Sequence, residues 1–480
     1  MAGAANEKRV KAITSRAEDF AQWYTDVVLM AELVDYASIR GCIVFRPLGY
    51  ALWENIQADF NNKIKKTGHY NVYMPMFIPE SLLAVEQEHV EGFAPEVAWV
   101  THGGSEELQE RMCVRPTSEV LFCEHYKKTI QSHRDLPKLY NQWCSVVRWE
   151  KTTRPFLRNT EFLWQEGHTA HATNEDSLKE TLMILDFYEE VFRDLLAIPV
   201  IKGQKTDMER FAGARETYTL ESLMYDKKAL QSATSHNFSD NFAKAFDIKY
   251  TDNNNELKYV HQTSWGLSTR SLGAIIMVHG DDDGLVLPPR VAPVQVVIIP
   301  IATHKGGVLD KAEDLLSSLD GVVRATLDKS DKTPGWKFAE HEMKGVPLRV
   351  ELGPKDIERG IATVVRRDNS EKLEIPIGDL PAKLPELLEQ VQADMLERAS
   401  ALLRENTHDA SSLEELAQIG EQKGGFINAM WCGERACEQE IKDSVGLSSR
   451  CIPFQQKVID SDCVVCGKPA AHCVVWGKAY

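Results

Sequence analysis

Apolar residues recur at helical spacing at Leu52, Ile56, Phe60 and Ile64 within the stretch Leu48 to Lys66, which predicts an amphipathic helix. Gly68 follows, then a short extended run from Tyr70 to Met74 that Pro75 stops, so this helix is expected to lead into a strand. Further on, Asn141 to Glu150 and Glu161 to His168 have the texture of two strands joined by the polar loop KTTRPFLRNT. Lys151, Arg154 and Arg158 sit in or beside that loop; a basic hairpin tip suits a phosphate-bearing partner and equally describes a solvated turn. Residues 1–290 read as one mixed domain of amphipathic helices and β-branched or aromatic runs. From Val291 the texture changes: VQVVIIPI has the continuous apolar character of a buried parallel strand, Leu309 to Leu319 is helical, and VRATLD, LRVELG and ATVVRR follow as short strands. This predicts a compact α/β domain over residues 291–400, closed by a helix from Lys383 to Glu405 that leads into a cysteine-bearing tail, residues 401–480.

Composition changes that picture in two ways. No stretch approaches the roughly 18 apolar residues of a membrane span, and the first twenty residues lack the apolar region of a secretory signal, so a cytoplasmic protein is expected. A formal net charge of −16 excludes a protein that coats nucleic acid through a dominant basic field; a nucleic-acid partner has to be gripped by local patches. Of ten cysteines, Cys42, Cys113, Cys123 and Cys144 are scattered among apolar neighbours, and the rest crowd the C-terminus. Cys432-x4-Cys437 and Cys463-x2-Cys466 have the spacing of a four-thiolate Zn²⁺ site, with Cys451 and Cys473 as competing ligands.

Five segments offer chemistry. Arg148-Trp149-Glu150 reads as strand, which puts the arginine and the carboxylate on one face, either for a ligand or as a plain ion pair. Arg115-Pro-Thr-Ser-Glu119 supplies a hydroxyl and a carboxylate in one turn and could cage a small ammonium ion, although such strings often only cap helices. Gln231 to His236 (QSATSH) reads more readily as a loop than as a site. Thr263 to Arg270 (TSWGLSTR) and Gly284 to Arg290 (GLVLPPR) complete the set, the last ending in an arginine placed at a helix start. No Walker loop or dinucleotide fingerprint is present.

In this order, the helix-strand-Pro75 unit, VRWE with FLWQEGH, and GLVLPPR resemble motifs 1, 2 and 3 of class II aminoacyl-tRNA synthetases. RPTSE, QEGH, TSH, SWGL and GLVLPPRVAP together resemble the prolyl-tRNA synthetases over essentially the whole chain, on the archaeal and eukaryotic-like branch. Val286 stands where general motif 3 has a second glycine, a departure common on the prolyl branch. The resemblance implies an α+β catalytic domain, a six-stranded antiparallel sheet with flanking helices, dimerised through the motif 1 helix. Arg148 would clamp the α-phosphate of ATP against the proline carboxylate, and Arg290 would hold the γ-phosphate and cover the adenine. Glu150 would accept from the adenine amino group over Phe162, while Gln231, Thr234, Ser268 and Arg270 would supply further ATP contacts, with Mg²⁺ near Gln231. Thr117 and Glu119 would take the proline ammonium; Trp164, Phe211, His236 and the backbone of Ser264, Trp265 and Gly266 would wall its ring. Phe93 and Glu96 would close a loop over the nucleotide.

The resemblance also makes the α/β domain an anticodon reader, with Glu342, Arg349 and Lys355 facing two guanines, against the plainer reading of Arg349 in an ion pair with Glu342 or Glu351. The stretch from Arg148 to Arg290 is too short to hold an inserted editing domain besides the catalytic strands. The cysteine site becomes a structural staple, fixing the tail so that Tyr480 packs towards the catalytic domain. The rival readings are another class II synthetase (seryl, threonyl, histidyl or glycyl) and a catalytically silent relative.

Overall fold

The structure, a computed structural model, describes residues 13–89, 96–305 and 307–480. The helix anticipated from Leu52, Ile56, Phe60 and Ile64 spans Pro47–Lys66 and buries those four side chains with Gly49 and Trp53. It starts on Pro47, whose fixed φ suits the first helical position. Phe60 stacks on Tyr188 at 4.9 Å and meets Trp143 and Trp265 edge-on at 6.2 and 6.1 Å, so the helix is pinned to one face of the central sheet. The strand after Gly68 is shorter than its apolar run suggests: only Tyr70–Asn71 pairs, parallel to Tyr140 and Asn141.

Six antiparallel strands form the platform, in the order Ile201–Gln204, Glu216–Leu223, Ala229–Ser239, His261–Ser268, Glu161–His171 and Lys138–Val147. The hairpin has the anticipated pairing, in register from Lys138 opposite Ala170 to Val147 opposite Glu161. Its first strand stops at Val147, however, so Arg148 and Glu150 lie in the connection and not inside the strand. There Arg148 N bonds Thr160 O at 2.8 Å and Trp149 N bonds Glu96 O at 2.9 Å, contacts that replace a regular ladder. The string Gln231 to His236, which reads as loop, is the middle of the strand Ala229–Ser239. It lacks apolar alternation because both of its faces meet polar groups: Thr234 and His236 point into a cavity, while Ser235 Oγ bonds Thr181 O at 2.8 Å on the helix side.

The α/β region has a five-stranded sheet in the order Ala325–Leu327, Val296–Pro300, Leu348–Leu352, Ile361–Arg366 and Lys372–Pro376. Val296–Pro300 pairs parallel with both neighbours, and the last two strands turn antiparallel. Helices Val308–Ser318 and Leu380–Glu405 bury Leu315, Leu384, Leu388 and Val391 against Ile298, Val350 and Val364.

The tail does not form a sheet of its own. Its strands Thr407–Ala410, Phe426–Trp431, His472–Gly477 and Ser448–Pro453 continue the catalytic platform, giving one sheet of 11 strands. The seam is short, Ile452 opposite Gln204 and Pro453 opposite Gly203. A Cβ on Gly203 would meet Ile452 O at 2.4 Å and Cys451 Sγ at 2.9 Å, so only glycine allows this approach. Beyond the seam, Tyr480 N bonds Ala229 O at 3.1 Å and Ala229 N bonds Lys478 O at 2.8 Å, which brings Tyr480 against the catalytic core as anticipated. Among the described residues no helix is long and apolar enough to cross a membrane.

Candidate active site

A cavity of about 230 Å³ opens on the face of the six-stranded platform opposite the Pro47–Lys66 helix. Strand alternation decides what faces it. Along His261–Ser268, Ser264, Gly266 and Ser268 line the cavity. The Trp265 ring lies on the other face, packed on Phe60 and His69, and lends only its backbone. Gly167 makes room for that ring, since a Cβ there would lie 2.1 Å from it.

At one end Glu119, first residue of the helix Glu119–Thr129, accepts from Thr117 Oγ1 and, at 3.0 Å, from Ser264 Oγ. Behind it Glu166 accepts from Ser118 Oγ at 2.5 Å, Gln142 Nε2 at 2.8 Å and His168 Nε2 at 3.0 Å. Burial opposes ionisation of Glu166, and these donors outweigh it, so the carboxyl stays below its ordinary range. Glu119, Glu166 and His168 approach one another closely enough to hold a cation, but hydrogen bonds within the protein already occupy the Glu166 carboxylate. Phe211 packs on His236 with ring centres 4.6 Å apart, and Thr217 Oγ1 lies 3.0 Å from His236 Nδ1. Burial and nearby His168 push His236 down to about 3, leaving it a neutral wall at physiological pH.

At the other end stand two arginines. Arg148 Nε donates to Pro116 O at 3.1 Å, and its guanidinium lies 5.6 and 5.4 Å from the ring centres of Phe162 and Trp164. Arg270, first residue of the helix Arg270–His279, donates to Leu157 O at 3.3 Å and Gln231 O at 3.5 Å. Burial, together with Arg148 and Arg158 nearby, pushes Arg270 down to about 10; burial also lowers Arg148 despite Glu119, Glu166 and Glu150 around it. Among the described residues neither arginine has a carboxylate within ion-pair distance. Two desolvated cations satisfied only by carbonyls form a site for an anion.

The cavity gathers most of the anticipated residues: Thr117, Glu119, Arg148, Phe162, Trp164, Phe211, Gln231, Thr234, His236, Ser264, Trp265, Gly266, Ser268 and Arg270. Arg290 is the clear exception. It lies in a turn, not at a helix start, with its guanidinium bonded to Glu389 at 2.6 Å and Asp194 O at 3.1 Å, outside the cavity. Glu150, 4.0 Å from Arg158, and Glu96, 3.5 Å from Lys151, are also outside its lining. Phe93 falls outside the described residues. Sequence reasoning missed Glu166, Lys205, Glu209 and Thr217; the alternation of QEGH with Trp164 would have pointed to Glu166, whereas nothing local marks Lys205.

A second pocket lies on the α/β sheet, lined by Glu342, Arg349, Arg366, Arg367 and Lys372 among others. Arg349 donates to both Glu342, at 2.8 Å, and Glu351, at 2.9 Å. Lys355 is exposed in the first turn of the helix Pro354–Arg359 and is not part of this lining.

In the tail, the sulfurs of Cys432, Cys437, Cys463 and Cys466 all lie within 4.8 Å of one another. Cys432 is 3.6 Å from Cys437 and 3.7 Å from Cys466, against the roughly 3.8 Å edge of a tetrahedron with 2.3 Å metal-sulfur bonds. Cys451 packs instead at the seam with Leu223 and Phe426, and Cys473 sits in the strand opposite Met430.

Comparison with known proteins accounts for all three regions. Residues 99–279 match the class II tRNA synthetase core domain (G, H, P, S and T), residues 295–387 an anticodon binding domain, and residues 413–480 the prolyl-tRNA synthetase C-terminal family. The proline-tRNA ligase of Clostridium novyi is 64% identical over 474 residues, 99% of both chains. That of Ruminiclostridium cellulolyticum is 63% identical over 477 residues, 99% of this chain and all of the relative. A crystal structure of prolyl-tRNA synthetase from Cryptosporidium parvum, complexed with halofuginone and AMPPNP, superposes with a TM-score of 0.94 at 42% identity, covering 97% of this chain and 99% of that one. The chain belongs to the prolyl-tRNA synthetases.

Proposed function

We propose that the chain activates L-proline with ATP and transfers the prolyl group to tRNA(Pro). The observation that carries this reading is the juxtaposition, in one cavity, of a caged carboxylate, Glu119, with two arginines that have no carboxylate partner among the described residues, Arg148 and Arg270. Glu119 and Thr117 accept the two protons of the proline ammonium, and Phe211, His236 and Trp164 exclude water around the ring. The proline carboxylate attacks the α-phosphorus in line and pyrophosphate departs; the 3′-hydroxyl of the terminal tRNA adenosine then takes the prolyl group. No protein nucleophile is needed. Arg148 holds the two reacting anions together, and Arg270, with Gln231, Thr234 and Ser268, orients the polyphosphate. Mg²⁺ bound with ATP near Gln231 supplies charge neutralisation. The nucleotide analogue in the Cryptosporidium structure supports ATP as the first substrate.

Several finer assignments accompany this reading. The domains are 1–290 catalytic, 291–400 anticodon-binding and 401–480 C-terminal. The four clustered cysteines hold a structural Zn²⁺, and the ten cysteines, all free of disulfides, support a cytoplasmic protein. Exposed Tyr36, Ile39, Tyr70, Tyr73 and Phe77 around the motif 1 region support a homodimer. The likeness to a eukaryotic structure supports the archaeal and eukaryotic-like branch, carried here by bacterial relatives. The chain has no editing site in cis.

Amino-acid-dependent pyrophosphate exchange followed by aminoacylation of total tRNA tests the whole. Proline alone should give strong exchange and charge one isoacceptor family. Exchange stimulated by serine, threonine, histidine or glycine instead, or by no amino acid, would overturn the assignment. Hydrolysis of Ala-tRNA by the purified chain would overturn the absence of editing.

A further inference from the structure

Lys205 follows the strand Ile201–Gln204 and lines the active-site cavity with a side chain only 2% exposed. Its Nζ donates to Glu221 Oε1 at 2.9 Å. Glu221 is fully buried, and its other oxygen, Oε2, accepts from Nε and Nη2 of Arg450 at 3.0 and 2.8 Å. Arg450 belongs to the tail strand Ser448–Pro453, 229 residues further along the chain. One carboxylate thus lies between two cations, and the buried cluster keeps a net positive charge. The cluster stands beside the arginine end of the cavity: Glu221 pairs with Gln231 across the strands and acts electrostatically on Arg270.

A second tether runs in parallel. Thr206, adjacent to Lys205, donates at 2.6 Å to Glu438, which also accepts from Ser449 Oγ. Glu438 lies on the helix Arg435–Val445, next to Cys437 of the cysteine cluster. Two buried carboxylates therefore connect the tail to consecutive residues, Lys205 and Thr206, at the cavity wall. Replacing both charged links by apolar residues would hold a seam equally well, so stability alone does not require them.

We propose that the C-terminal domain completes the nucleotide site: Arg450, through Glu221, positions Lys205 so that its charge faces the polyphosphate of ATP. Without Arg450, Glu221 neutralises Lys205 one to one, and the local surplus positive charge is lost. Arg450 is on this account a positioning residue 229 places from the carboxylate it directs. The inference rests on the proline-activating function proposed above, and wild-type proline-dependent pyrophosphate exchange checks that function separately.

The test is exchange kinetics of the full chain carrying Arg450→Met or Lys205→Met. Each should raise KM for ATP on the order of tenfold, the scale of one lost charged hydrogen bond, while KM for proline stays within about twofold. The double variant, which leaves Glu221 buried without either cation and turns the trio from a net positive to a net negative charge, should lose more ATP affinity than either single one. Arg450→Lys should recover part of the ATP affinity. A lowered melting temperature with unchanged KM for ATP in Arg450→Met would overturn the proposal. If Arg450→Met does not fold, Arg450→Lys and Lys205→Met read the same split between the ATP and proline constants.

Discussion

Arginines gather in two regions of this molecule and are treated in opposite ways. In the catalytic cavity Arg148 and Arg270 donate, among the described residues, only to main-chain carbonyls, and burial lowers the pKa of both. The three arginines that line the pocket on the α/β sheet are paired with carboxylates: Arg349 with Glu342 and Glu351, Arg366 with Asp368 and Asp394, Arg367 with Asp281. The first arrangement stores unsatisfied positive charge and meets an anion without having to release a partner. In the second the positive charge is already compensated by carboxylates, and an incoming base or phosphate would have to exchange with one of them. Preorganisation of the first kind suits chemistry, where charge grows in the transition state. Exchange of the second kind suits discrimination, because only a ligand with matching donors and acceptors repays the broken pairs.

The sharpest way to break this contrast is to remove the cavity charge. Arg148→Ala should lower proline-dependent pyrophosphate exchange on the order of 10³-fold or more while leaving the melting temperature nearly unchanged; normal exchange would end the argument. Next in size, Arg270→Ala should reduce kcat/KM for ATP by about 10²-fold. Arg290→Ala, which breaks an exposed pair with Glu389 and a bond to Asp194 O, both outside the cavity, should change it by less than about threefold. Steady-state exchange on the two variants distinguishes the two arginines.

That pair also shows what could be read from sequence. GLVLPPR has the glycine and terminal arginine of a phosphate-holding motif, but its chain turns away and Arg290 meets Glu389. The arginine that reaches the cavity is Arg270, at the junction of the strand His261–Ser268 and a helix whose following residues, Ser271 to Met277, are all buried. The resemblance already counts Arg270 among the ATP contacts, and a strand pattern passing into a largely apolar helical run gives that expectation a local basis. The Pro47–Lys66 helix, the hairpin and the α/β strands were legible because each buries one face against a core, which imposes a period. Ala229–Ser239 was not, since polar groups face it from both sides. Lys205 was invisible because its environment is made by Glu221 and by Arg450, partners that only the folded chain brings together.

On the paired side of the comparison, Arg349→Ala should lower kcat/KM for tRNA charging by about tenfold and leave pyrophosphate exchange untouched. An equal loss in both assays would mean that the α/β sheet supports the catalytic fold and does not read tRNA. The smallest effect concerns protons. His171 and His279, in the catalytic half, are pushed down to about 4, chiefly by burial. The unfolded chain takes up these protons first, so stability is complete above about pH 6.5 and declines as pH falls towards 4. His279→Gln should therefore remove up to about 2 kcal/mol of the loss seen between pH 6.5 and 5, measured by urea unfolding at each pH; an unchanged slope would show that His279 takes its proton equally well in the folded state.

The single sheet that runs from the catalytic platform into the tail has a consequence for the order in which the molecule is made. Ile201–Gln204 is an edge of the platform until Ser448–Pro453 pairs with it, and roughly half the chain is translated between the two. During that interval a nascent chain presents an open strand edge, with Gly203 bare at its centre, to any other extended segment. The edge of the platform is therefore closed only once the last strands have emerged and paired, so the final part of the chain is what turns an open template into a seam.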